Sequence, residues 1–211
     1  MSDASSLPIV DARTLDPGRR AALRPGEMVS DDTGRLRRLP VFFYEVASWQ
    51  VARETELAPN FGLWEFIEVD LHEAAVLRAY PRYVPCAVEV LASMLSIIRQ
   101  QFNEPMRISA NGGYRSPSHA RSRAGSTHCW GTAVNICRLG EDWLDTQGSI
   151  ERTCAAATRA IPALWARPYG EVAGCADDHV HLDFGFTTCV PRTAPGEERR
   201  GGVPVDREER R

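Results

Sequence analysis

The sequence predicts an α+β fold, with a small and mostly antiparallel sheet packed against helices. Stretches with strand-like and helix-like patterns come in separate runs, without the regular alternation that accompanies a parallel sheet. A chain of 211 residues, 43% hydrophobic and 25% charged, is long enough to bury one core of ordinary size. We therefore expect a single domain over residues 39–190, with a polar segment on either side.

The two flanking segments, 1–38 and 191–211, are predicted to lie outside this core. Residues 1–38 are rich in Asp, Arg, Pro and Gly, and they keep neither helical nor strand periodicity for long. Such a pattern is typical of a partly disordered or surface-wrapping arm. Residues 191–211 mix Pro, Gly, Arg and Glu with almost no large apolar side chain, which predicts a disordered tail.

Between the flanks, apolar periodicity and capping residues define the elements. The clearest is a core helix that Pro85 opens and that ends near Phe102, because the apolar residues between them form a wide stripe. The glycine pair Gly112-Gly113 predicts a sharp turn. The other predicted elements are strands over 41–51, 106–110, 132–139 and 179–186, a short amphipathic piece over 63–69, a helix from Asp70 to about residue 79, and a helix over 145–161.

Composition excludes several classes of function. The net charge of -3, without a basic patch, argues against a nucleic-acid partner. The positively charged residues are all arginines, so chemistry that needs a lysine Schiff base or a phosphate-loop lysine is excluded. No run approaches the roughly 18 to 20 apolar residues that span a bilayer, and the N-terminus lacks the apolar stretch of a secretory signal. The sequence therefore predicts no membrane partner and a cytoplasmic location, where the six cysteines are expected to be free thiols.

Two separate motifs carry the residue types of a zinc site. His128 precedes Asn135 by seven positions at the start of a β-rich stretch, and the segment Asp178-His179-Val180-His181 places two imidazoles on one face of a strand. A hydrolytic zinc site needs three protein ligands, an open position for water, a base and a donor for the oxyanion. Two adjacent strands would bring His128, Asn135 and His181 to a common point, with Asp178 as the candidate base.

Three motifs in this order resemble the zinc D-Ala-D-Ala carboxypeptidases. Their superfamily also includes D-Ala-D-Ala dipeptidases, phage endolysin peptidases and the Hedgehog signalling domain. The resemblance covers roughly residues 57–186. The motifs are Gly113-Tyr114-Arg115-Ser116-Pro117, then Ser126-Thr127-His128 with Gly131, Ala133 and Asn135, then Asp178-His179-Val180-His181-Leu182-Asp183.

The resemblance implies a role for each candidate residue. It implies that His128, Asn135 and His181 occupy the positions of the zinc ligands. It also implies that Asp178 activates the zinc-bound water and that His179 stabilises the oxyanion. Arg115 matches the arginine that faces the substrate, although a structural role in the turn at Gly112-Gly113 is an equal alternative. The implied reaction is amide hydrolysis near the C-terminus of a short peptide, which is D-Ala-D-Ala or derived from the cell wall.

Asn135 departs from the family, which has a zinc-binding aspartate at this position. A neutral amide oxygen is a weaker zinc ligand than a carboxylate. Because changes around the ligands alone cost about 10-fold to 100-fold in metal affinity, a changed ligand should cost at least as much. Two hypotheses follow: a zinc peptidase with reduced metal affinity, or a peptidase-derived binding or regulatory module without hydrolysis. A different metal-assisted hydrolysis or a biosynthetic step is a third alternative.

Overall fold

The computed structural model describes residues 2, 3, 6–68, 71–172 and 174–195, and it has an α+β fold with small antiparallel sheets and several helices. A five-stranded sheet has the hydrogen-bonded order β11-β10-β13-β12, and β9 also pairs with β10. All of these pairings are antiparallel, as the sequence predicts. The strands are β9 (Met106–Ile108), β10 (Ala133–Leu139), β11 (Asp142–Trp143), β12 (Trp165–Ala166) and β13 (Val180–Asp183).

This five-stranded sheet has one apolar face and one polar face near its middle. Val134 and Ile136 on β10 and Leu182 on β13 are fully buried in the hydrophobic core. Because side chains alternate across a strand, the residues between them point to the opposite face. Asn135 and His181 lie on that second face, and the register places them directly opposite each other.

The predicted core helix is α5 (Val88–Gln100), and its inward-facing residues, among them Leu91 and Leu95, are fully buried. The helix begins at Val88 instead of Pro85. The reason is that Pro85 is the last residue of strand β8 (Arg82–Pro85), which pairs with the strand formed by residues 42–46.

The second long helix is α6 (Gln147–Ala160), which packs against α5 and β13. Its first turn is capped by Thr146, whose side-chain oxygen accepts a hydrogen bond from the backbone nitrogen of Ser149. The helix ends just before Pro162, because the residue that precedes a proline disfavours helical backbone angles. These bounds confirm the predicted helix over 145–161.

Shorter helices complete the helical part of the described chain. The predicted helix over 70–79 is reduced to one turn, and its predicted cap, Asp70, lies outside the described residues. Within the described ranges, none of the helices combines the length and the apolar character needed to cross a membrane. The short helices are α1 (Pro17–Leu23), α2 (Trp49–Glu54), α3 (Leu63–Phe66) and α4 (Ala75–Arg78).

Smaller sheets occupy the N-terminal half of the described chain. One has the order β2-β5-β8, another has the order β1-β6-β7, and β3 and β4 form a hairpin. Their strands are β1 (Ser2–Asp3), β2 (Ile9–Asp11), β3 (Met28–Ser30), β4 (Leu36–Arg38), β5 (Phe42–Val46), β6 (Thr55–Ala58) and β7 (Phe61–Gly62).

Residues 6–38 do not form the polar arm that the sequence predicts. They form β2, α1 and the β3–β4 hairpin, and β2 pairs with β5 inside the fold. Leu7, Ala12 and Leu23 are buried in the main core, and Val29 packs in a smaller cluster with Trp130. Elements of three to seven residues are too short to give a periodic pattern, which explains the wrong prediction. The predicted tail over 191–211 lies mostly outside the described residues.

The β3–β4 hairpin is held by the carboxylate of Asp31. This carboxylate accepts hydrogen bonds from the backbone and side chain of Thr33, the backbone of Arg35 and the guanidinium of Arg37, at 2.7–2.9 Å. The hydrogen bond from the Thr33 hydroxyl contributes most to holding the pKa of Asp31 well below its usual value, although burial opposes this. A carboxyl with a depressed pKa stabilises the fold above its unfolded pKa, and this contribution is lost as the pH falls through the folded pKa.

We predict that Asp31→Asn lowers the free energy of unfolding at neutral pH and weakens its dependence on pH below about pH 5. The amide carries no charge to titrate, and it cannot accept all of these hydrogen bonds. Chemical denaturation of the native protein and the variant across this pH range measures both effects. Asp32→Asn is the matched control, since Asp32 is exposed. The same acid dependence in Asp31→Asn and the native protein would contradict this account of the hairpin.

Candidate metal centre

The predicted metal residues come from two neighbouring strands and the turn that precedes them. His128 lies in a short 3₁₀ helix, Thr127–Trp130, which ends at Gly131 in the left-handed conformation with φ 69°. A positive φ of this kind favours glycine, and it redirects the chain into β10. Asn135 then follows in β10 and pairs with His181 of β13. The local fold thus brings His181 together with His128 and Asn135, which precede it by more than 40 residues.

His128, Asn135 and His181 form a compact and buried cluster. The imidazole rings of His128 and His181 have centroids 5.2 Å apart, with 63° between their planes. His181 Nδ1 lies 2.8 Å from Asn135 Oδ1. The three residues are 3%, 8% and 2% exposed, respectively. A group bound between them would therefore be largely shielded from water.

The surroundings of His128 define its tautomer. Its Nδ1 lies 2.7 Å from the backbone oxygen of Gly113. Since a carbonyl oxygen can only accept, Nδ1 carries the proton and donates this hydrogen bond. Burial is the main cause of a pKa of His128 well below its usual value, and the positive charge of Arg115 lowers it further. The ring is therefore neutral near pH 7, and its lone pair is on Nε2.

His181 is held from its other side by Asp183. The Nε2 atom of His181 lies 3.5 Å from Asp183 Oδ2. The same carboxylate is fixed by hydrogen bonds from the hydroxyl of Thr127 at 3.2 Å and the backbone nitrogen of Gly185 at 2.8 Å. Burial lowers the pKa of His181, while the contact with Asp183 raises it. Because a carboxylate attracts an N–H group, Asp183 favours the tautomer of His181 with its proton on Nε2.

Asn135 and Asp183 favour different tautomers of His181. An amide oxygen 2.8 Å from Nδ1 requires the proton on Nδ1, whereas Asp183 requires it on Nε2. A neutral ring has only one of these protons. The conflict is removed either by rotating the amide, so that its NH2 group donates to Nδ1, or by a cation that the Nδ1 lone pair and the amide oxygen share. These two solutions correspond to a site without a metal and a site with one.

The glycine pair beside His128 is required by a close approach of two backbones. A Cβ atom added to Gly113 would lie 2.5 Å from the backbone oxygen of Phe66, and one added to Gly112 would lie 2.7 Å from the backbone oxygen of Asn135. The same approach allows the backbone nitrogen of Tyr114 to donate to Phe66 at 2.8 Å. The predicted turn thus also aims the Gly113 carbonyl at the imidazole of His128.

Arg115 lies beside His128, and its side chain also makes a hydrogen bond within the turn that precedes it. Its Nε donates to the backbone oxygen of Asn111 at 2.6 Å, and its backbone nitrogen donates to the backbone oxygen of His128 at 3.3 Å. Its charge contributes to the lowered pKa of His128, so the guanidinium is close to the cluster. Both predicted roles, in the turn and beside the site, are compatible with this position.

Asp178 and His179 form a pair at the start of β13. Asp178 Oδ1 lies 2.5 Å from His179 Nδ1, and the side chain of Asp178 is 79% exposed. The Nε2 atom of His179 is buried and makes no hydrogen bond to a described residue. Because a carboxylate can only accept, Nδ1 of His179 carries a proton, and Nε2 is the atom available for proton transfer. The side-chain contact of Asp178 is thus with His179.

Arg167 and Trp165 adjoin the cluster. The sequence motifs do not include Arg167. Trp165↔Asp183 and Ala166↔Leu182 are paired in the sheet, so Arg167 lies opposite His181, to whose oxygen its backbone nitrogen donates at 3.0 Å. The ring of Trp165 is 5.7 Å from that of His181. Strand β12 has only two residues, which is too short for an alternating pattern to identify it.

Among the described residues, no group of three His, Cys, Asp or Glu side chains is placed to hold a metal ion. The cluster at His128 and His181 falls short of such a group because its third member is an amide. No protein-family model, curated protein or solved structure matches this chain. The resemblance to the D-Ala-D-Ala carboxypeptidases therefore rests on the sequence motifs alone.

We predict that Gly113→Ala destabilises the fold by about 1–3 kcal/mol, because the new methyl group overlaps the backbone of Phe66. The variant should also disturb His128, whose Nδ1 donates to the Gly113 carbonyl. Thermal and chemical denaturation measure the first effect. Gly148→Ala is the matched control, because Gly148 lies on the exposed surface of α6, where alanine is the better helix former. Equal stability of Gly113→Ala and the native protein would contradict the close approach.

Proposed function

We propose that this protein is a zinc-dependent hydrolase of the peptidase type, similar to the D-Ala-D-Ala carboxypeptidases, and that it cleaves an amide bond in a short peptide. The observation that carries the proposal is the pair formed by His128 and His181. Both imidazoles are buried, and each has one nitrogen fixed by a carbonyl or a carboxylate. Metal-binding histidines are commonly oriented in this way. Burial also favours the neutral form, which is the form that binds a metal.

The finer assignment of the fold, to the Hedgehog and DD-peptidase architecture, belongs to the same proposal. It is supported by the order of the parts around the cluster. The turn with Arg115 precedes the 3₁₀ helix with His128, which leads into the strand with Asn135. The strand with His181 is the antiparallel neighbour of that strand. This is the order of the three motifs on which the resemblance rests.

The donor set fits zinc, although weakly. His128 Nε2 and His181 Nδ1 would be the imidazole ligands, and Asn135 Oδ1 would be a neutral third ligand. Zinc with bonds of about 2.0–2.1 Å in a tetrahedron keeps neighbouring ligand atoms about 3.3 Å apart. His181 Nδ1 and Asn135 Oδ1 are 2.8 Å apart, so the amide would need only a small outward movement. The lack of a carboxylate among the ligands is expected to lower the affinity.

Zinc in such a site supplies an activated water molecule and polarises the carbonyl group that is attacked. The remaining tasks fall to the protein. We assign proton transfer to His179, because its Nε2 is buried and without a partner among the described residues. Asp178 orients that ring, whereas the sequence alone suggested Asp178 as the base. Arg115, which lies beside His128, would help to orient the peptide.

We predict that the purified protein binds about one equivalent of zinc and that Asn135→Asp tightens this binding by at least about 10-fold, since a carboxylate adds charge to the ligand set. His128→Ala should abolish binding. Competition with a chromogenic chelator measures the affinity. His72→Ala is the matched control, because His72 lies outside the cluster. The proposal fails if the native protein binds clearly less than one equivalent at saturating zinc, or if His128→Ala binds as well as the native protein.

The second candidate function is a peptide-binding or regulatory module that keeps the cleft without hydrolysis. The contact between His181 and Asn135 favours it, because an amide rotated to donate to Nδ1 would satisfy His181 without a metal. Asn135→Asp also separates the two candidates. Peptidase activity that is present only in the aspartate variant would support the module, and activity already present in the native protein would exclude it.

For the zinc-loaded protein, we predict that His179→Ala lowers kcat for a short peptide by about 100-fold or more, since proton transfer by a positioned side chain contributes this much. Asp178→Asn should lower kcat less and leave zinc affinity nearly unchanged. Steady-state kinetics with zinc titrations of the same samples test both statements. The matched control is Asp177→Asn, a neighbouring exposed carboxylate. Full activity in His179→Ala would rule out this assignment of the proton-transfer group.

A further inference from the structure

We infer that Arg167 forms an anion-binding subsite beside His181 and that it holds the terminal carboxylate of a peptide ligand. The nature of the ligand, a short peptide, rests on the proposed function. The subsite itself rests on the position of Arg167 in the sheet and on the state of its guanidinium.

The strand register places Arg167 beside His181. Strands β12 and β13 pair with Trp165 opposite Asp183, and the next hydrogen bond of the ladder joins the Arg167 nitrogen to the His181 oxygen at 3.0 Å. Arg167 is therefore the direct cross-strand neighbour of His181. Residues directly opposite each other in an antiparallel pair project to the same face. Since Asn135 is the neighbour of His181 on the other side, the three residues form a row across the sheet.

The guanidinium of Arg167 contains a buried donor that is available to a ligand. The Nε atom of Arg167 is buried and makes no hydrogen bond to any residue that the structure describes. A buried donor without an acceptor costs free energy, and this cost is removed when a ligand supplies the acceptor. The forked geometry of a guanidinium matches the two oxygens of a carboxylate. A terminal carboxylate is therefore the acceptor that suits this position.

The charges around Arg167 also favour an anionic ligand. Arg167 lies opposite His181 in the sheet, which places its positive charge on the same face as the cluster. Asp183, the carboxylate in contact with His181, is already held by Thr127 and by the backbone of Gly185. Within the described ranges, Arg167 has no carboxylate at ion-pair distance. The cluster thus presents an uncompensated positive charge to a ligand.

Arg115 on the other side of the cluster is less available for this role. Its Nε already donates to the backbone oxygen of Asn111 at 2.6 Å. The side chain of Trp165, two residues before Arg167 and on the same face, is 48% exposed. It offers an apolar surface for the side chain of the ligand residue next to the carboxylate. Arg167 and Trp165 together thus favour a C-terminal residue with an apolar side chain.

The test compares two ligands that differ only in this carboxylate: N-acetyl-D-alanyl-D-alanine and its C-terminal amide. Calorimetric titration of the full chain, with and without zinc, measures the Kd of each ligand. The preference for the acid is the ratio of the Kd of the amide to the Kd of the acid. We expect the native protein to prefer the acid by about 10-fold or more, the gain expected from hydrogen bonds to a charged group. Arg167→Gln should abolish this preference. Arg159→Gln, on the exposed surface of α6, should retain it.

The inference is overturned if Arg167→Gln keeps the preference, if the native protein has none, or if neither ligand binds. Because the preference is a ratio of two dissociation constants, it is measured only on protein that folds and binds the ligands. If Arg167→Gln does not fold, Arg167→Lys replaces it, since lysine keeps the charge but lacks Nε and the fork. We expect the preference of Arg167→Lys to be several-fold smaller than that of the native protein. An unchanged preference overturns the inference.

The same data separate this inference from the proposed function. If the protein binds no zinc and cleaves neither ligand but loses its preference in Arg167→Gln, the hydrolase fails and the carboxylate subsite stands. If zinc binding and cleavage are present and the preference survives in Arg167→Gln, the hydrolase stands and the subsite fails. Zinc content and peptide preference are thus independent readouts.

Discussion

The pairing of β10 with β13 is the constraint on which the rest of the site depends. Its register places Asn135 opposite His181, and it is fixed by the apolar side chains on the other face of the same two strands, among them Val134 and Leu182. Burial of one such side chain contributes about 1.5–3 kcal/mol, whereas one hydrogen bond contributes about 1 kcal/mol. Packing therefore decides the register, and the polar neighbours follow from it. A slip of one residue would turn His181 into the core.

The sequence predicted the parts of the fold with long or regular patterns. Helices α5 and α6 and strands β10 and β13 carry enough apolar residues in phase to be recognised, and so the two motifs of the cluster could be assigned to adjacent strands. The elements within residues 6–38 were not predicted because they are short. Arg167 was missed for a similar reason, since its relation to His181 is created by strand pairing across 14 residues of sequence and leaves no local pattern.

The asparagine at position 135 also affects the net charge of the cluster. Arg115 lies beside His128, Arg167 lies opposite His181, and Asp183 is the carboxylate in contact with His181. An aspartate at position 135 would offset part of this positive charge, and an asparagine does not. A bound carboxylate would supply the missing negative charge. Metal binding and ligand binding are therefore expected to strengthen each other, as two sites coupled by electrostatics do.

The central claim is that His128 and His181 meet to hold one metal ion. X-ray absorption spectroscopy of the zinc-loaded protein measures this most directly, because it reports the kind of ligand atom and its distance. We expect two imidazole nitrogens at about 2.0–2.1 Å, further oxygen ligands, and no sulfur. A sulfur ligand at about 2.3 Å, or a shell of oxygen atoms without imidazole, would contradict it.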